Sequence, residues 1–186
     1  YIWILLDFSR EAVILHRMNK LHTIFLSLLF SSFSFFSYSQ NIWTQKASMP
    51  ATGRTGGIGF SIGNKGYVGL GTNGSTFFDL WEWDQTSNSW TQKALFPGPS
   101  RITPACFVIG TKAYVSTGDD GAGGYFQDLW EWDQASNVWI QKSNFSGSAR
   151  SGAVGFSIGT KGYIGTGKDI DSLRTDFWEW DQTSDT

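Results

Sequence analysis

The chain has little of what most catalytic and metal-binding sites are built from. Its single cysteine, Cys106, allows no intramolecular disulfide framework and no cysteine cluster for a metal. Both histidines, His16 and His22, lie near the start, so no imidazole occurs in the remainder. Proline is scarce at 4 residues, and charged residues make up 16% against a typical value of about 25%. With 14 Lys+Arg against 16 Asp+Glu, the net charge of -2 leaves no basic footprint for nucleic acid and no acidic tail. What is abundant is different in kind. Of 186 residues, 22 are glycine and 10 are tryptophan, and aromatics reach 17%. Disorder and coiled coil both need more charge and fewer aromatics. Glycine-rich, tryptophan-rich and proline-poor sequence predicts many short strands joined by tight turns, within one domain or two small ones.

Residues 1–17 contain no Met and are read as an upstream segment without a structural role. From Met18 the character changes. Lys20 and His22 give a short positive region, and Leu21–Tyr38 then carries Ile24, Phe25, Leu26, Leu28, Leu29, Phe30, Phe33, Phe35 and Phe36. Ser37-Tyr38-Ser39 places small residues at a cleavage spacing, so residues 18–39 are expected to be a signal peptide cut between Ser39 and Gln40. The alternative is a membrane anchor, but a run from 21 to 38 is short for a span of about 20 residues, and no Lys/Arg cluster follows it. The expectation is therefore a secreted or cell-surface protein, in an oxidising setting, without a stable membrane span after cleavage.

From residue 42 onward one unit repeats. Trp43-Thr44-Gln45-Lys46-Ala47 recurs as Trp90-Thr91-Gln92-Lys93-Ala94 and as Trp139-Ile140-Gln141-Lys142-Ser143. Asp79-Leu80-Trp81-Glu82-Trp83-Asp84 recurs at 128–133 and, with Phe177 for Leu, at 176–181. Arg54, Arg101 and Arg150 keep the same step. Within a unit the hydrophobic period is two, the period of strands. Gly57–Ile62 and Tyr67–Gly71 read as two strands about a Gly63-Asn64 hairpin turn. Leu80–Trp83 is a third strand, Asp84–Asn88 a turn, and Trp90–Lys93 a more polar outer strand.

Four antiparallel strands every 47 to 49 residues, with a glycine-rich second strand and a Trp seven residues after another (Trp83 to Trp90, Trp132 to Trp139), resemble the kelch repeat. The family's adjacent glycine pair stands here as Gly69-x-Gly71 and Gly165-x-Gly167, with only Gly118 in the middle unit, and Trp replaces the more usual Tyr of the third strand. A Trp-Asp dipeptide ends each third strand, as in WD40 repeats, but the Gly-His partner of that motif is missing. The resemblance implies an all-β fold: a kelch-type β-propeller of four-stranded antiparallel blades, spanning 40–186, with about three blades of an incomplete ring. The expected parts are a fourth strand at 43–47, blades at 54–94 and 101–143, and an incomplete blade at 150–186. An exported bacterial kelch-type protein is the implied setting, with further blades beyond this stretch. A lone three-blade stretch would leave a sheet face rich in Trp and Phe uncovered.

Chemistry is harder to place. Kelch propellers include galactose oxidase, whose copper site needs His ligands and a Tyr cross-linked to Cys; here no His follows His22 and no second repeat position matches Cys106, which reads as a small buried hydrophobe. No metal and no cofactor is expected. Asp119-Asp120 and Asp169-Ile170-Asp171 could offer oxygen ligands to Ca²⁺, but the two loops do not match each other and read better as turns. Glu82, Glu131 and Glu179 recur once per blade, which points to scaffold. Arg54, Arg101 and Arg150, each ahead of a first strand, are the candidate ligand-binding residues, since guanidinium pairs bidentately with carboxylate. Their periodicity also fits a second reading, in which each braces its own blade. The expected function is a binding module for a protein or glycan at the propeller face, through the variable loops Thr72–Phe78, Asp119–Gln127 and Lys168–Thr175. The alternative class is a carbohydrate-active enzyme, an oxidase or sugar epimerase, with its catalytic residues in later blades.

Overall fold

The computed structural model describes residues 42–186; the upstream segment at 1–17 and the signal peptide expected at 18–39 lie outside the described residues. Eleven strands form three antiparallel sheets. The first holds β1 (Ile58–Ile62), β2 (Lys65–Gly69), β3 (Leu80–Asp84) and β4 (Ser89–Gln92). The second holds β5 (Ala105–Ile109), β6 (Lys112–Ser116), β7 (Leu129–Asp133) and β8 (Val138–Lys142). The third holds β9 (Val154–Ile158), β10 (Lys161–Gly165) and β11 (Phe177–Asp181). Each is a meander in chain order. No helix among the described residues is long and apolar enough to cross a membrane.

Local chemistry fixes the register. Ile62 pairs with Lys65 across the two-residue turn, where Gly63 takes φ 60, as a tight hairpin requires. The Asp84 carboxylate accepts the N–H groups of Thr86 and Ser87, and Asn88 turns left-handed at φ 51. Two expected boundaries move. The second strand ends at Gly69 rather than Gly71, because Leu70 and Gly71 both adopt positive φ, 55 and 85, and leave the ladder. Residues 43–47, expected as a fourth strand, form no strand; a strand exists through its ladder, and this segment pairs with none of the three sheets.

Adjacent sheets come closest along their first strands, β1 to β5 and β5 to β9, which places those strands innermost and β4 and β8 outermost. The contact between sheets is aromatic. Phe60 stacks on Tyr67 at 4.9 Å, and Trp132 of the next sheet meets Tyr67 edge-on at 5.1 Å. Phe107 and Tyr114 stack at 5.0 Å, and Trp180 of the third sheet lies 5.0 Å from Tyr114. Burying an indole removes roughly 200 Å² from water and stabilises by about 5 kcal/mol before side-chain entropy. Glycine makes room for this stacking: a Cβ on Gly162 would lie 2.2 Å from the Phe107 ring.

Polar seams run alongside. The Gln134 amide donates to Tyr67 Oη at 2.7 Å and Gln182 to Tyr114 Oη at 2.7 Å. Each phenol donates in turn to a buried glutamate, Glu82 at 2.7 Å and Glu131 at 2.9 Å. Ala94 N–H donates to Asn137 Oδ1 of the next sheet's turn, and Ser143 N–H to Asp185 Oδ1. Ala47 N–H does the same with Asn88 Oδ1, and its carbonyl accepts from Trp90 Nε1, as the Ala94 carbonyl accepts from Trp139 Nε1. Ala47 thus docks on the first sheet as the end of a fourth strand docks on the sheet that follows it. On the far face of the third sheet, Val154, Phe156, Ile158 and Phe177 are exposed.

Candidate functional site

The three arginines sit at one geometric position. Arg101 and Arg150 have no exposed surface, and the Arg54 side chain keeps 6%. Each guanidinium forks onto the aspartate that precedes a third strand: Arg54 onto Asp79, Arg101 onto Asp128 at 2.6 and 2.7 Å, and Arg150 onto Asp176. Each Nε–H donates to a carbonyl two residues back, of Thr52, Pro99 and Ser148. Each also donates to the carbonyl of the left-handed residue after the second strand: Leu70, Thr117 and Thr166, with φ 55, 62 and 62. A non-glycine residue in that conformation costs roughly 1–2 kcal/mol, and the arginine holds it there. Aromatic rings close the other sides, Phe77 over Arg54 at 4.4 Å, Phe96 and Phe126 over Arg101 at 4.8 and 4.6 Å, and Phe145 over Arg150 at 5.0 Å.

The carboxylates respond accordingly. Burial pushes the carboxyls of Asp79 and Asp128 upward, but hydrogen bonds from Arg54 and Arg101, with the indole N–H groups of Trp81 and Trp130, hold both below the ordinary value. For Asp176 the Arg150 fork is the largest influence and holds it far below. These arginines are occupied as braces. All five guanidinium donors of Arg150, and four each of Arg54 and Arg101, point to protein oxygens, so the ligand fork expected at Arg54, Arg101 and Arg150 already has a partner in Asp79, Asp128 and Asp176.

The expected recognition loops lie at the opposite end of the sheets from the Gly63 and Asp84 turns. Short bridges stiffen them: Thr55 with Thr72, Ile102 with Asp119 and Ser151 with Lys168, each followed by a second bridge within the loop. The acids are spent locally. Asp119 and Asp120 accept the N–H groups of Gly121, Ala122 and Gly124, and buried Asp169 accepts from Asp171, Ser172, Ser148 and Arg174. Among the described residues no three His, Cys, Asp or Glu side chains converge as a metal site would need.

Arg174 is the residue that sequence reading missed. Phe77 N–H donates to the Gly71 carbonyl, Phe126 N–H to Gly118, and Arg174 N–H to Gly167. Arg174 therefore takes the place of the two phenylalanines that cover Arg54 and Arg101. The signal was present once the loops are aligned on Gly71, Gly118 and Gly167, but unequal loop lengths hide it. Arg174 is tied to Asp169 and half-exposed, beside a groove of about 340 Å³ lined by Tyr125, Ser148, Ile170 and Asp171. This groove, between the second and third loops, breaks the repeat symmetry.

Comparison with known proteins follows the same outline. No family model matches the chain, and no curated protein sequence does. Among solved structures, that of YjhT superimposes with a TM-score of 0.62 at 19% identity, over 76% of this chain. The match takes in 51% of YjhT, so the chain spans about half the length of that neighbour. Three radially arranged antiparallel sheets and this likeness define the fold as a kelch-like β-propeller arc, all-β and without helices among the described residues.

Proposed function

We propose that the chain is an exported binding module whose ligand, a protein or a glycan, is taken by the loop rim rather than by the buried arginines. The observation that carries this reading is where the repeat departs from itself. Frame positions recur from sheet to sheet, whereas Thr72–Phe78, Asp119–Gln127 and Lys168–Thr175 differ in length and sequence and share one rim. Ile170 and Leu173, at 76% and 79% exposure, stand at the tip of the third loop beside the Arg174 groove. Exposed apolar side chains next to a guanidinium suit a ligand with both an apolar face and hydrogen-bond acceptors. The signal-like stretch at 18–39 supports export. Binding should be screened on a glycan array and a surface-protein library, then repeated with the third loop replaced by Thr72–Phe78. Loss of the hits with an unchanged thermal transition is expected. Hits that survive replacement of all three loops refute the rim as the site.

A further inference from the structure

At the loop rim, the junction of the second and third sheets departs from that of the first and second at four positions that the repeat makes equivalent. At the first junction the Thr76 and Ser100 hydroxyls bond to each other at 2.6 Å, tying the first loop to the segment ahead of Arg101. Their counterparts at the second junction are Tyr125, which takes the Thr76 place in the loop bridges, and Ala149, directly before Arg150. Alanine has no hydroxyl, so that tie is not made. Pro99 and Phe126 are likewise replaced, by Ser148 and Arg174. Where the tie is missing lies the groove of about 340 Å³, with the second loop as one wall and the third loop with Ser148 and Ala149 as the other. We propose that this groove is a site for a neutral pyranose sugar, its C–H face on Tyr125 and two neighbouring hydroxyls shared between Arg174 and Asp171. The assignment rests on the rim being the binding surface and names the ligand class that one part of it takes.

The polar groups still unspent select the ligand. Asp169 is full: Oδ1 accepts the N–H groups of Asp171 and Ser172, and Oδ2 accepts the Ser148 hydroxyl and Arg174 Nε. These bonds, the Ser172 N–H foremost, hold its carboxyl far below the ordinary value, so it stays charged and offsets Arg174. Ser148 Oγ is also occupied, accepting from Arg150 Nη2 at 3.1 Å while it donates to Asp169. Three groups are left. Arg174 Nη1 and the Tyr125 phenol have no protein partner among the described residues, and the Asp171 side chain is 78% exposed.

A vicinal diol matches that set. One hydroxyl accepts from Arg174 and its neighbour donates to Asp171, and hydrogen bonds to charged groups are roughly twice as strong as neutral ones. The Tyr125 ring offers apolar surface whose negative π face attracts the polarised C–H bonds of a sugar, and exposed Ile170 borders it. The volume falls at the small end of the range for small-molecule sites. An acidic sugar is disfavoured, because two of the three charged side chains lining the groove are carboxylates.

Saturation-transfer NMR on the full chain, with the methyl glycosides of glucose, galactose and mannose as probes, tests this. At least one is expected to bind, with saturation concentrated on the C–H protons of one ring face. The matching uronic acid should bind at least about 10-fold more weakly, since like charges meet in the groove. Tyr125→Ala should weaken binding at least about 10-fold. Tyr125→Thr combined with Ala149→Ser rebuilds the tie of the first junction and should abolish binding with an unchanged thermal transition. Should that variant fail to fold, deoxy glycosides tested on the unaltered chain replace it; loss of either contacted hydroxyl should cost about 10- to 100-fold. No saturation of any probe, preference for the uronic acid, or binding indifferent both to Tyr125→Ala and to the rebuilt tie overturns the proposal. Array or protein hits that still depend on the third loop in the rebuilt-tie variant also overturn it, while leaving the rim reading in place; hits indifferent to all three loops remove the rim itself.

Discussion

Replacing Arg101 with lysine keeps the charge and removes the fork, and it separates a brace from a ligand contact. Arg101 donates to Pro99, to Thr117 and to both oxygens of Asp128, between the rings of Phe96 and Phe126. A lysine ammonium has three donors and no planar fork, so at least one charge-assisted bond is lost, about 1.5–3 kcal/mol. Weaker stacking between the two rings adds about 0.5–1 kcal/mol. The Thr117 carbonyl loses its clamp, so its left-handed backbone is no longer held. The expected loss is about 2–4 kcal/mol for Arg101→Lys, and about 3–5 kcal/mol for Asp128→Asn, which strands a buried cation. Urea unfolding followed by tryptophan fluorescence reads both, and the two losses should be strongly non-additive in the double variant, as for any contacting pair. A loss under about 1 kcal/mol for Arg101→Lys would refute the brace and return the residue to the ligand-binding candidates.

Three further outcomes follow from the same geometry. Gly71→Ala forces a Cβ to 2.5 Å from the Thr55 carbonyl at φ 85 and should cost at least about 2 kcal/mol, whereas Gly74→Ala, with open space around it, should show only the milder cost of its positive φ in the same unfolding assay. Acid should destabilise the chain: Asp79, Asp128 and Asp176 have depressed folded pKa values, so their contribution is complete above the unfolded carboxylate value near 3.8 and is lost as pH falls through the folded ones. Stability measured against pH should therefore hold near neutrality and fall below about pH 4, and a rise toward acid would contradict the Arg–Asp forks. Burial pushes the Cys106 thiol up to about 12, so at pH 8 a thiol reagent should label it at least about 100-fold more slowly in the folded chain than in urea; equal rates would show the β5 face to be open.

Much of the frame is legible along the chain because its causes are local. Alternation assigns Leu80 and Glu82 to one face and Trp81 and Trp83 to the other, and the buried positions follow that division. The Asp84 and Gly63 turns rest on side-chain and backbone preferences of the residues themselves. The repeat spacing then dictates how many sheets must form and in what order. Arg101 shows where such reading stops. Its periodicity marks it as important, but a buried brace and a ligand fork need the same residue at the same step. Only the fold, by bringing Thr117, Phe126 and Asp128 around it from 16 to 27 residues away, shows that its guanidinium is enclosed. Arg174 is the converse case, since its meaning depends on which residue it replaces over a neighbouring arginine, and loop length obscures that in one dimension. Short-range forces are written in neighbouring residues. Whether a charge is sheltered or offered to solvent depends on distant segments, and it is decided when the sheets assemble.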